Sequence, residues 1–287
     1  MTTQKSNRFD RQIRFFGNEG QDRIRTAYVA VIGIGGLGTH VVQQLALLGV
    51  GMFVLIDPED LDPTNRNRYV GARHDDPISG TPKVDIGERL IQSVDPAIRP
   101  VKIRDSFISE QAFSVLEKVG YIFGCLDNEG ARLVLNEFSA AHAKPYFDLA
   151  SDISLGDPPV YGGRICVAWD GTGCLACRGQ IDVEEAQAEL ADTGAQRNRE
   201  AVYGVPEKAL RGAGPSVVSI NGVVASYAVT EFFAAITGLR PPVGLAEYRG
   251  EIGKVLVSID PPVAECYYCR GIRGKGSAVG LDRYLRR

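Results

Sequence analysis

The chain has 287 residues with 32 basic and 35 acidic side chains, a net charge of −3 and 44% apolar content. These are ordinary values for a globular protein with room for a substantial core, and they exclude a global basic field for gripping nucleic acid or an anionic membrane. The first residues, MTTQKSNRFDRQIRFFG, are charged and lack an apolar run, so no secretory leader is expected and the protein is expected in the cytoplasm.

Residues 7–26 carry closely spaced arginines, a pattern that ordinarily marks a solvated helix face. The next thirty residues are the most informative in the chain. Residues 28–32 read as a buried strand, 38–48 as a helix and 52–56 as a second apolar strand that ends on Asp57. Between the first strand and the helix stands the turn Gly33-Ile34-Gly35-Gly36-Leu37-Gly38. Gly33, Gly35, Gly36 and Gly38 allow a tight turn and let a phosphate reach the amides at the helix N-terminus. Asp57 follows about 20 residues later, where a carboxylate accepts hydrogen bonds from ribose hydroxyls. The motif by itself favours NAD or FAD over ATP.

Residues 58–82 show no periodicity and are rich in Pro, Asn, Asp and Arg, the composition of a functional loop. Further on, helices are expected over 83–94, 110–119 and 129–142, with strands over 99–103, 121–125 and 145–149. This alternation implies a parallel sheet with ligands off the strand C-termini, where Asp57 and Asp127 both fall. Beyond about residue 155 the alternation stops. Segments 160–169 and 244–259 read as strands that continue the sheet in antiparallel fashion. The long apolar segment 215–239 contains Asn221 and Glu231, so it reads as a core or subunit-interface helix rather than a membrane span. The expected fold is therefore α/β, a Rossmann-like mixed sheet with a parallel N-terminal half continued by antiparallel strands. The economical organisation is a single domain over 1–287. It comprises an N-terminal arm (1–26), a nucleotide-binding half (27–155) and a C-terminal part (156–287) that includes a crossover loop at 178–213.

Four of the six cysteines form two CxxC knuckles, Cys174/Cys177 and Cys266/Cys269. A two-residue spacer lets both thiolates face one ion, and two knuckles complete a closed four-sulfur shell that suits structural zinc. A second constellation comprises Asn65, Arg68 and Lys83, with Asp127 one crossover later. A dinucleotide has no triphosphate for such cations to neutralise. ATP does, and a carboxylate at a strand end can hold Mg2+. No GxxxxGK[ST] occurs, so this is not a P-loop enzyme.

An ordered set of features resembles the ubiquitin-activating-type adenylyltransferases, the MoeB/ThiF/HesA superfamily. They are Arg8-Phe9-Asp10-Arg11-Gln12, Gly20-Gln21, the glycine turn, Asp57, Asn65-Arg66-Asn67-Arg68, Pro82-Lys83-Val84, Asp127-Asn128 and the two knuckles. The resemblance spans almost the whole chain and turns the expectation from NAD to ATP. It implies a homodimer that binds MgATP and the C-terminal carboxylate of a ubiquitin-like or sulfur-carrier protein ending in glycine. It further implies that Asp57 holds the ribose and that Asn65, Arg68 and Lys83 contact phosphates. Asp127 would hold Mg2+ beside Asn128, and Arg11 would serve the partner subunit's ATP as an arginine finger. The implied reaction is adenylylation of that carboxylate with release of pyrophosphate.

Two departures qualify the resemblance. Tyr69 follows Arg68 where the family usually has Gln, and no cysteine occurs between Cys177 and Cys266, where thioester-forming relatives carry one. Cys125 and Cys166 fall in expected strands and read as core residues. The expectation is thus adenylylation without a covalent enzyme intermediate. Alternatives within the fold are adenylylation of a ribosomal peptide's C-terminus, as in microcin-like maturation, and cyclic dehydration of a modified tRNA base. The acidic balance and the complete knuckles disfavour the tRNA reading. A non-catalytic scaffold that only binds a ubiquitin-like partner would have no use for Asp127, Arg68 and Lys83.

Overall fold

The computed structural model describes residues 8–77, 80–191 and 214–285. Part of the expected crossover loop, 192–213, lies outside the described residues. Eight strands form one sheet in the order β3-β2-β1-β4-β5-β6-β7-β8. The parallel half comprises β1 (Tyr28–Ile32), β2 (Met52–Ile56), β3 (Val101–Ile103), β4 (Tyr121–Gly124) and the start of β5 (Tyr146–Ser154). From β5 onward the pairing is antiparallel, through β6 (Val160–Ala168), β7 (Leu245–Arg249) and β8 (Lys254–Val257). This is the mixed sheet expected from the change of pattern near residue 155.

Successive residues of the central strands alternate between two cores, which is why these strands read as unbroken apolar runs. Val29, Val31, Phe53 and Leu55 face α2 (Gly36–Leu48), α3 (Lys83–Val94) and α7 (Val218–Ile236). Ala30, Ile32, Val54 and Ile56 face α4 (Glu110–Leu116) and α5 (Glu129–Ala141). Phe123 stacks on Phe147 with ring centroids 4.7 Å apart, and Phe232 of α7 meets both rings edge-on.

Helix ends follow local chemistry. Ser109 and Asn128 cap α4 and α5 by accepting from Ala112 N and Ala131 N, and Asp182 caps α6 (Val183–Leu190) by accepting from Glu185 N. α2 stops at Gly49, whose φ of 102° is the left-handed conformation that closes a helix. The N-terminal arginine run forms α1 (Asp10–Thr26), bent at Gly17.

Two expectations needed adjustment. β5 runs to Ser154 rather than 149, because its last residues pair with β6 in a long hairpin, where half-exposed polar residues obscure the strand signal. Segment 244–259 splits into β7 and β8 around a 3₁₀ turn, Gly250–Ile252, ended by Gly253 at φ 62°. The long apolar helix α7 is a core helix. Its Glu231 side chain is fully buried and paired with Arg240 at 2.5 Å while accepting from Val243 N.

Candidate active site

β1 lies between β2 and β4, and the chain winds to one side of it through α2 and to the other through the β3-to-β4 crossover. That arrangement opens a crevice at the strand C-termini, the place where open α/β sheets bind ligands. The glycine turn sits at its centre. Gly33 has φ 86°, and a Cβ there would stand 2.5 Å from the Cys125 carbonyl, so only glycine lets the loops after β1 and β4 touch. Gly35 begins α2 without any side-chain cap, and the first turn, which includes Gly36 and Gly38, carries no acid. The helix N–H groups and the positive end of its dipole therefore face the crevice.

Asp57, one residue past β2, is buried and accepts from Ile34 N at 2.7 Å and Glu59 N at 2.9 Å. It thus ties the glycine turn to the start of the 58–82 loop. Burial pushes its pKa up, and nearby Lys83 opposes that rise. The base of the loop is closed by hydrogen bonds from Leu61 N to Thr81 O and from Lys83 N to Glu59 O, so the loop returns beside its own start. Lys83 opens α3 with its ammonium buried, pairs with the Glu59 carboxylate and lies 5.5 Å from the Tyr69 ring centroid. Burial works against its charge, but Tyr69, Asp57 and Glu59 outweigh burial and carry its pKa above the usual lysine value.

Asn65, buried at the end of a 3₁₀ turn, accepts from Arg68 Nη2 at 2.8 Å. The other partners of Arg68 are the Thr64 carbonyl at 2.5 Å and the Asn67 side-chain oxygen at 3.3 Å. All three are neutral, so the guanidinium charge is uncompensated by them, and its Cδ comes within 3.4 Å of where a Gly36 Cβ would stand. Asp127 and Asn128 are exposed in the turn after β4, and Asn128 Nδ2 approaches Asp127 Oδ1 at 3.4 Å. One chain therefore brings together the glycine turn, Asp57, Asn65, Arg68 and Lys83, and the loop after β4, which carries Asp127 and Asn128 further along, meets that turn at Cys125.

Arg11 is not among them. Phe9, two residues before it, packs against Gly49 at the far end of α2, about 20 Å from the glycine turn for a 13-residue helix. Arg8 likewise bonds to Val94 O and Asp95, at the end of α3.

Three groups escaped the motif reading. Asn221 of α7 is buried, accepts from Ser151 Oγ at 2.8 Å, donates to Ser216 Oγ at 3.2 Å, and would meet a Cβ on Gly36 at 2.5 Å. Asp148, wholly buried on β5, accepts from Arg132 at 2.6 Å, from Tyr146 OH at 2.6 Å and from Arg164. Arg132 also holds the Leu126 carbonyl, which fixes the turn that carries Asp127. Glu59 is the third, as the present counter-charge of Lys83.

The knuckle cysteines meet across 92 residues. Cys174 and Cys266 sulfurs lie 3.7 Å apart, Cys177 and Cys269 sulfurs 3.8 Å, and all four fall within 4.8 Å of one another. The edge of a tetrahedron with 2.3 Å zinc–sulfur bonds is about 3.8 Å, so the donor set could hold such an ion. Burial raises the thiols of Cys125 and Cys166 well above the ordinary cysteine range. A separate hollow of about 400 Å³ between α5, α6 and the second knuckle contains none of the residues expected to act.

The chain belongs to the ThiF family, which matches residues 9–252. It is 30% identical over 146 residues to the sulfur carrier protein adenylyltransferase of Thermus thermophilus, covering 50% of this chain and 53% of that one. It is 27% identical over 188 residues to the molybdopterin-synthase adenylyltransferase of Escherichia coli, covering 65% and 73% respectively. The chain spans about half the length of the first of these relatives. Among solved structures, E. coli MccB with ATP superposes with a TM-score of 0.69 over 92% of this chain and 74% of MccB, at 20% identity, a likeness of fold.

Proposed function

We propose that this chain is an ATP-dependent adenylyltransferase that activates the C-terminal glycine carboxylate of a ubiquitin-like or sulfur-carrier protein. The observation that carries the reading is the convergence of buried Lys83 and the neutrally partnered Arg68 on an uncapped helix N-terminus at the sheet's switch point. Such a site is built to neutralise phosphates. The names of the two relatives support the reaction class and the kind of substrate.

In this reading Asp57 positions the ribose, the amides of the glycine turn meet the phosphates, and Asn65, Arg68 and Lys83 balance their charge. Asp127, with Asn128 beside it, offers the hard oxygen that Mg2+ prefers when it shares its shell with phosphates and water. Bound there, Mg2+ would offset triphosphate charge. The substrate carboxylate forms a bond to the α-phosphorus, the bond from that phosphorus to the α,β-bridging oxygen breaks, and pyrophosphate leaves with the electron pair. A C-terminal carboxyl is already ionised at pH 7, so no general base is required. The work of the site is alignment and charge neutralisation of two anions. The raised thiols of Cys125 and Cys166 fit transfer without a covalent enzyme intermediate.

Arg11 lies too far from its own chain's turn, and in a homodimer it serves the partner's nucleotide. The cysteine cluster takes a structural zinc that ties the C-terminal part to the mid-chain loop, so that 1–287 acts as one domain. Pyrophosphate exchange tests the reaction. Labelled pyrophosphate should enter ATP when a β-grasp protein ending in Gly-Gly is added. Exchange with a short ribosomal peptide but not with such proteins would reassign the substrate, and exchange with neither would overturn the proposal.

A further inference from the structure

The residue after Arg68 is where this chain departs from its family, and the structure places that residue inside the site. The Tyr69 ring is 7% exposed and packs with Leu61 and Ile86 in a small core of its own beneath the 58–82 loop. Its hydroxyl comes within 3.5 Å of where a Gly35 Cβ would stand, beside the uncapped start of α2. The Lys83 ammonium, 5.5 Å from the ring centroid, can only donate hydrogen bonds, so it makes no claim on the phenolic hydrogen. The phenolic hydrogen remains available for an acceptor.

Resting on the adenylyltransferase reading, we propose that Tyr69 is a nucleotide-binding residue whose hydroxyl donates to a phosphate oxygen of ATP at the glycine turn. In this role its hydroxyl meets the phosphate while its ring packs beside Lys83. Burial raises the phenol's pKa, so it stays protonated and able to donate throughout the neutral range. The substitution also explains the loop's construction: a glutamine could donate but could not complete the Leu61–Ile86 core. One side chain thus anchors the loop and reads the ligand.

Tyr69→Phe separates these two duties, because it keeps the ring and removes only the hydroxyl. In pyrophosphate exchange its KM for ATP should rise roughly tenfold, the scale of a lost hydrogen bond to a charged group. Its kcat at saturating ATP should stay within about twofold and its melting temperature within about 1 °C, as expected when one ground-state contact is removed without disturbing the core. Tyr69→Gln should recover part of the ATP affinity but melt lower, since it restores a donor and empties the small core. A wild-type KM for Tyr69→Phe would overturn the inference. So would a KM loss accompanied by a drop of several degrees in melting temperature, or a Tyr69→Gln protein no better than Tyr69→Phe at binding ATP. Failure of the unmutated protein to bind MgATP by calorimetry would instead sink the adenylyltransferase reading on which the inference rests.

Discussion

Lys83→Ala and Asp127→Ala should each reduce pyrophosphate exchange by roughly 10²–10³-fold or more, the range measured when one preorganised charge-stabilising group is removed from an active site. The two positions fail for different reasons. Lys83 is the buried cation of the crevice, and its charge is secured by Asp57 and Glu59. Glu59 is mostly exposed, so a triphosphate can take its place against the ammonium while the carboxylate turns to water. Without Lys83 the incoming phosphates meet two carboxylates and no buried counter-charge. Asp127 is exposed and bonds only weakly to Asn128, so its removal costs the fold little and isolates the loss of the proposed Mg2+ ligand. Circular dichroism and melting curves should therefore match wild type closely for Asp127→Ala and show at most a modest decrease for Lys83→Ala. Full exchange in both variants would refute the site assignment.

The second large effect concerns the cysteine cluster. Cys266→Ser should lower stability by a few kcal/mol, which for a chain of this size moves the melting temperature by roughly 10 °C. Cys266 is buried, its sulfur stands 3.7 Å from that of Cys174, and the second knuckle belongs to the core that also holds Leu175, Phe138 and Leu281. The ion would bridge two points 92 residues apart, so its loss frees the C-terminal turns from the sheet. Chelation of the wild-type protein should lower its melting point similarly, and elemental analysis should find one zinc per chain. An unchanged melting temperature in Cys266→Ser, or purified protein free of metal, would remove the structural zinc from the account.

Where backbone geometry leaves few choices, the sequence was easy to read. Gly33 must be glycine because its φ is positive and the Cys125 carbonyl leaves no space for a side chain, and such demands show directly as a motif. The bounds of β2 and α3 could be read off because apolar runs and amphipathic spacing are local properties. Long-range partners were not legible. Asn221 read only as a polar interruption in an apolar helix, since its neighbours Ser151 and Gly36 stand 70 and 185 positions earlier. The Asp148, Arg132 and Arg164 network was equally hidden, because it forms only when β5 pairs with β6 and α5 packs beneath them. Arg11 was legible as part of a motif, but its distance from its own glycine turn required the structure.

Calorimetric titration of the purified chain with MgATP and, separately, with NADH tests the central claim most directly, because it asks whether the crevice is built for a triphosphate and its metal. The account predicts saturable binding of ATP that depends on Mg2+ and no measurable heat from NADH. Tight NADH binding with no response to MgATP would contradict it.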